Sequence, residues 1–161
     1  MFPAAQLQLA IEILERCRSR RLRLATAESC TGGLIAACLT DIAGSSDVFE
    51  RGLVAYANQA KIDLLGVTPE CLARFGAVSE ETARAMAEGG LARSKVDLCV
   101  AVTGIAGPGG GSAERPVGLV HFATAGRDQP TRHAQSLFSG DRQAVRQATV
   151  TRALELLRAC L

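Results

Sequence analysis

Leu22-Arg23-Leu24-Ala25-Thr26-Ala27, then Glu28-Ser29-Cys30-Thr31-Gly32-Gly33, then Leu34-Ile35-Ala36-Ala37-Cys38-Leu39-Thr40 decides the fold. The first stretch reads as a short strand over 22–27. The last, with its two glycines, reads as a helix over 32–40. A strand that passes through a glycine turn straight into a helix is the opening of an α/β layer structure. Upstream, Leu7, Ala10, Ile11, Leu14 and Cys17 recur at helical spacing and predict a helix over about 4–20. Downstream, Ala43-Gly44-Ser45-Ser46-Asp47 is a turn cluster. Gly52 to Tyr56 reads as a second strand, and Asn58 as the N-cap of a short helix ending near Gly66. Pro69 opens another short helix, as a first-turn proline can. Ser79 caps a longer one reaching about Arg93.

The run Asp97-Leu98-Cys99-Val100-Ala101-Val102 is almost wholly apolar, the pattern of a strand buried on both faces. A glycine-rich loop follows over 104–115. Two more strands are predicted over 117–125 and 133–138, with a turn around 126–130. Asp141 then caps a final helix that carries Val150, Leu154, Leu157 and Leu161 along one face. Helices and strands alternate early and a strand pair comes late. The expected fold is therefore an α/β three-layer α/β/α sandwich around a mixed, mostly parallel sheet of about five strands. No linker divides the chain, so 1–161 reads as one domain.

Bulk properties narrow the function. The 161 residues are 48% hydrophobic and 21% charged, which suits a folded globular chain. A net charge of +2 is too small for binding nucleic acid through broad phosphate neutralisation. No apolar run approaches the ~20 residues of a membrane-spanning helix. The amphipathic start, with Glu12 and Glu15 inside it, does not read as a signal peptide. Six cysteines occur without a Cys-x-x-Cys pair, mostly in apolar stretches. They predict a reducing, cytoplasmic setting and no metal site. The apolar helices leave a homo-oligomer as the expected state.

Few side chains can transfer protons. Lys61 and Lys95 are the only lysines and Tyr56 the only tyrosine. The remaining basic residues are arginines, which hold their protons too tightly to act as bases. Ser29 lies at a strand's carboxyl end, where open α/β sheets place ligands, and just before a helix N-terminus. That suits a nucleophile with Thr31, Gly32 and Gly33 nearby to meet a substrate. The spacing alone fits a helix cap better, and Cys30 is a rival nucleophile. His121 and His133 fall within or at the start of strands, as core or surface residues do. Lys61 is the better base: first-turn helix dipole and partial burial both disfavour its ammonium. Without those it is an ordinary solvated lysine. Thr103-Gly104-Ile105-Ala106-Gly107-Pro108 follows the buried strand and can wrap a ligand with backbone N–H groups, or be a surface loop. Arg142 or Arg146, at the start of the last helix, can clamp a phosphate or carboxylate, or be solvated.

Taken together, Thr26–Gly33, Phe49-Glu50-Arg51-Gly52, Tyr56–Lys61, Gly76-Ala77-Val78-Ser79, Thr103–Pro108 and Gly140-Asp141-Arg142 resemble the CinA C-terminal domain family. The motifs follow the family's order through nearly the whole chain, in its stand-alone form. The resemblance implies a three-layer α/β/α fold. It also implies hydrolysis of nicotinamide mononucleotide to nicotinate mononucleotide and ammonia, in pyridine nucleotide recycling and without a cofactor. Ser29 is then the nucleophile, and Lys61 and Tyr56 its proton-transfer partners. Thr31, Gly32, Gly33, Thr103, Gly104, Ile105, Ala106, Gly107 and Arg142 are the expected substrate-binding residues. The alternatives are a non-catalytic pyridine-nucleotide-binding module and an amidase of another substrate.

Overall fold

A computed structural model describes residues 2–161. Five strands form one mixed sheet in the order β2-β1-β3-β4-β5. They are β1 (Leu24–Glu28), β2 (Phe49–Val54), β3 (Leu98–Gly104), β4 (Leu119–Gly126) and β5 (Gln129–Leu137). β1 pairs in parallel with both β2 and β3, whereas β3–β4 and β4–β5 are antiparallel. Four strands thus point one way and β4 alone points back. The central strands β1, β3 and β4 are almost entirely buried, as their apolar runs require.

Alternation along β1 divides the molecule into its two cores. Leu24 joins Val100, Val102 and Phe122 beneath α1 (Ala4–Arg20), α2 (Leu34–Thr40) and α6 (Arg142–Arg158). Ala25 and Ala27 face the other way, with Cys99, Ala101 and Ala123, against α5 (Glu80–Ala92). The short helices α3 (Asn58–Leu65) and α4 (Pro69–Phe75) pack beside α5. The second core is built from small residues, so α5 lies close on the sheet. Gly89 and Gly90 make that approach possible. A Cβ on Gly90 would come 2.6 Å from Cys99 Sγ, and one on Gly89 only 1.7 Å from the Leu65 carbonyl oxygen. The second contact fixes the far end of α3, the helix that carries Lys61.

Several element boundaries differ from the sequence expectation. β2 begins at Phe49 and ends at Val54, earlier than expected, because it is an edge strand whose charged Glu50 and Arg51 break the apolar signal. β5, also an edge, extends back to Gln129. α2 starts at Leu34, since Gly32 and Gly33 take left-handed φ values of 60° and 96°. Asn58 is the first helical residue rather than the cap; Ala57 occupies that position and no side chain caps the helix. The α6 helix ends at Arg158, so Leu161 lies past it. Thr68, Ser79 and Asp141 do cap α4, α5 and α6, each accepting from a backbone N–H.

The Gly89 contact yields a test. In an ordinary helix interior Gly→Ala gains roughly 1 kcal/mol. Here the added methyl meets backbone, and overpacking costs about 1–3 kcal/mol. Gly89→Ala is expected to lower the urea midpoint; a variant as stable as wild type contradicts the close α3–α5 crossing.

Candidate active site

The carboxyl ends of β2, β1 and β3 lie side by side, and each hands the chain to a functional segment. Ser29 follows β1 and is tied to β3 through its N–H donated to Val102 O at 3.0 Å. Ala55 follows β2 and donates its N–H to Glu28 O at 2.9 Å. Thr103 and Gly104 close β3, with Thr103 Oγ1 donated to Ala77 O at 2.7 Å. Between these ends is a cleft of about 270 Å³.

Lys61 enters the cleft from α3 and is 1% exposed. Its Nζ lies 3.1 Å from Ser29 Oγ, 3.0 Å from Ala55 O and 3.1 Å from Tyr56 O. No carboxylate forms an ion pair with it among the described residues. Burial therefore lowers its pKa below that of a free lysine. Desolvation is the leading cause, and Lys61 lies at the end of the first turn of α3. A neutral amine suits these three neighbours. Its two N–H groups satisfy the two carbonyls, and its lone pair is left for the Ser29 hydroxyl proton.

Tyr56 is 56% exposed at the mouth of the cleft. Its carbonyl serves Lys61, while its phenol oxygen accepts from Arg142 Nη2 at 2.7 Å. Arg142 also donates to Gly107 O at 2.8 Å, so one guanidinium ties α6 to the tyrosine and the glycine loop. Thr103, Gly104, Ile105, Ala106 and Gly107 all line the same cleft. A larger cavity of about 810 Å³ adjoins it, sharing Ala106 and Arg142 and bounded further by Pro108, Val117 and Arg146.

Thr31, Gly32 and Gly33 sit elsewhere. Thr31 is fully buried, with its hydroxyl donated to Glu28 at 2.7 Å. The N–H of Gly32 goes to Ser29 O and that of Gly33 to the Glu28 carboxylate, each at 3.0 Å. The donors that looked open at this helix start are thus occupied. Glu28 is the residue of this turn that the sequence reading missed. Its signal was present: Leu24, Thr26 and Glu28 share one face of an otherwise apolar strand, which aims a carboxylate at the following helix. Ala77, Val78 and Asn58 also line the cleft without having been expected there.

The remaining candidates separate cleanly. His121 Nδ1 lies 3.0 Å from His133 Nε2, and His133 Nδ1 lies 3.3 Å from Glu80 Oε2. The two histidines thus engage each other and α5, with no bond to Ser29. Cys30 is buried, and burial pushes its thiol up to about 11. At neutral pH it is a thiol and a poor nucleophile. Iodoacetamide at neutral pH is therefore expected to leave Cys30 unmodified in the folded protein, read by peptide mass spectrometry. Rapid alkylation there would return it to contention.

Comparison with known proteins identifies relatives of the whole chain. The chain is 52% identical to nicotinamide-nucleotide amidohydrolase PncC of Enterobacter agglomerans over 139 residues, covering 86% of this chain and 85% of that protein. A CinA-like protein of Akkermansia muciniphila is 55% identical over 133 residues, 83% of this chain. There the chain spans only about a third (32%) of the relative's length, as with several other longer relatives. Among solved structures, the competence/damage inducible protein CihA of Agrobacterium tumefaciens superposes with a TM-score of 0.97 at 54% identity, covering 99% of this chain and 97% of that one. A competence damage-inducible protein A from Klebsiella pneumoniae gives 0.92 at 38% identity, covering 96% and 95%. The family description "CinA C-terminal domain" matches residues 6–161, and the chain belongs to that family.

Proposed function

We propose that the protein is a serine amidohydrolase that converts nicotinamide mononucleotide and water to nicotinate mononucleotide and ammonia. The observation that carries this reading is the Lys61–Ser29 contact: a buried amine, its pKa lowered by desolvation, 3.1 Å from a hydroxyl at a strand end. A pure binding module has no use for that pair. The substrate is drawn from the PncC relative, which matches over 86% of this chain.

Ser29 Oγ attacks the carboxamide carbon as Lys61 Nζ takes its proton. The resulting oxyanion needs a donor. Gly32 and Gly33 have given theirs away, so that role passes to the N–H of Cys30, which has no acceptor among the described residues. A donor directly after the nucleophile is a recurrent solution in α/β hydrolases. The lysine ammonium then protonates the departing ammonia, with the Tyr56 phenol as the relay at the cleft mouth. Water next attacks the acyl-serine. It loses a proton to Lys61, and Ser29 regains one as nicotinate mononucleotide leaves. Arg142 and the 103–107 loop hold the phosphoribosyl part, which extends toward the larger cavity.

Incubation with nicotinamide mononucleotide is expected to release ammonia and nicotinate mononucleotide. Ser29→Ala and Lys61→Ala are each expected to lose at least about a thousandfold in kcat. Because the neutral amine is the base, kcat/KM rises with pH through the lowered Lys61 pKa and levels off above it. Absence of ammonia release by wild type removes the substrate assignment, and full activity in Ser29→Ala removes the nucleophile.

A further inference from the structure

The turn that presents Ser29 is gripped by two opposite charges, one on each side. From the strand side, the carboxylate of Glu28 is fully buried and receives five hydrogen bonds. Oε1 accepts from Thr26 Oγ1 at 3.0 Å and from the N–H of Ala36 at 2.8 Å. Oε2 accepts from Thr31 Oγ1 at 2.7 Å and from the N–H groups of Gly33 and Ile35 at 3.0 Å each. The carboxylate thus occupies the positive N-terminal end of α2. From the opposite side, Arg146 reaches over from α6. Its Nη2 donates to Thr31 O at 2.8 Å and its Nε to Cys30 O at 3.2 Å. Gly32 leaves room for this: a Cβ there would stand 3.4 Å from Arg146 Nη2, at a φ of +60° that side chains resist.

From these contacts we infer that Glu28 and Arg146 are positioning residues for the nucleophile, a paired clamp that sets the orientation of Ser29 and of the Cys30 N–H behind it. Glu28 takes the turn's donors and Arg146 takes its acceptors. Between them they tie the Thr31 hydroxyl and carbonyl, the Cys30 carbonyl and the Gly33 N–H. Neither residue lines the Ser29 cleft: Glu28 is sealed in the core and Arg146 borders only the larger adjoining cavity, so neither touches the reacting atoms. The inference rests on Ser29 being the nucleophile. It explains why a helix start so well suited to an external anion is filled by one of the chain's own carboxylates.

The variants Glu28→Gln, Arg146→Ala and Arg146→Lys in the full chain test this with two readouts. One is kcat and KM on nicotinamide mononucleotide. The other is the rate at which a fluorophosphonate labels Ser29, which needs no substrate recognition. Glu28→Gln turns an amide NH2 against backbone N–H groups whichever way it lies. A misplaced nucleophile costs on the order of a hundredfold. Glu28→Gln and Arg146→Ala should therefore lose about that factor in kcat and, in parallel, in labelling rate; KM stays unchanged in Glu28→Gln, whereas Arg146→Ala, at the edge of the larger cavity, is judged by kcat and labelling. Arg146→Lys should stay impaired, because one ammonium lacks the fork that spans two carbonyls. Folded variants with wild-type labelling and kcat, or a loss confined to KM, overturn the clamp. If Glu28→Gln does not fold, the Arg146 pair decides. Labelling of Ser29 in a wild type that releases no ammonia refutes the substrate reading but leaves the clamp to be judged by the labelling ratios.

Discussion

The amine of Lys61 lies under the sheet's edge with three oxygen neighbours and, among the described residues, no carboxylate to pair with. An isolated buried ammonium costs several kcal/mol even after relaxation, and a lysine can avoid that by giving up its proton. The fold creates this circumstance. The carbonyls of Ala55 and Tyr56 just past β2, the hydroxyl just past β1 and the side chain from α3 meet only because β2 and β1 run parallel and end together. α3 in turn is held where it is by the bare backbone of Gly89 on α5. An unpaired lysine is a poor contribution to stability, and its presence here makes sense as chemistry.

The same economy governs the nucleophile turn. Helix N-termini attract anions, and glycine-rich starts often accept a substrate's charge. In this chain the carboxylate of Glu28 takes that place. The field of α2 is spent on holding the backbone, and under the proposed function recognition of the phosphate falls to Arg142 and the loop after β3 instead. Arg142 bonds both Tyr56 and Gly107, so the side chain that closes the cleft also joins the three segments bounding it.

Much of this was legible in the sequence, for reasons that can be stated residue by residue. The strand–turn–helix unit around Ser29 showed because its apolar alternation and its two glycines are local signals. Lys61 stood out because lysines are scarce: the chain has two. The apolar run over 97–102 read correctly as a strand buried on both faces. What remained hidden depends on facing partners. Gly32 and Gly33 mark a helix start, but chain order does not say that Glu28 fills it. Arg146 is a surface-looking arginine until α6 is docked over α2. β2 escaped at its N-terminal end because an edge strand carries Glu50 and Arg51 where a central strand carries valine. Asn58 looked like a cap by residue type, yet Ala57 holds the cap conformation and Asn58 instead borders the cleft.

The small number of lysines gives the central claim a direct measurement. Protein labelled with 13C at lysine Cε yields one signal from Lys61 and one from Lys95, assigned by the signal that vanishes in Lys61→Met. A pH titration of the folded protein then reads the Lys61 amine itself. The account predicts that this signal titrates below the roughly 10.4 of a free lysine, because burial disfavours the ammonium. A Lys61 signal that stays protonated up to the free-lysine value would contradict it and leave Ser29 without its base.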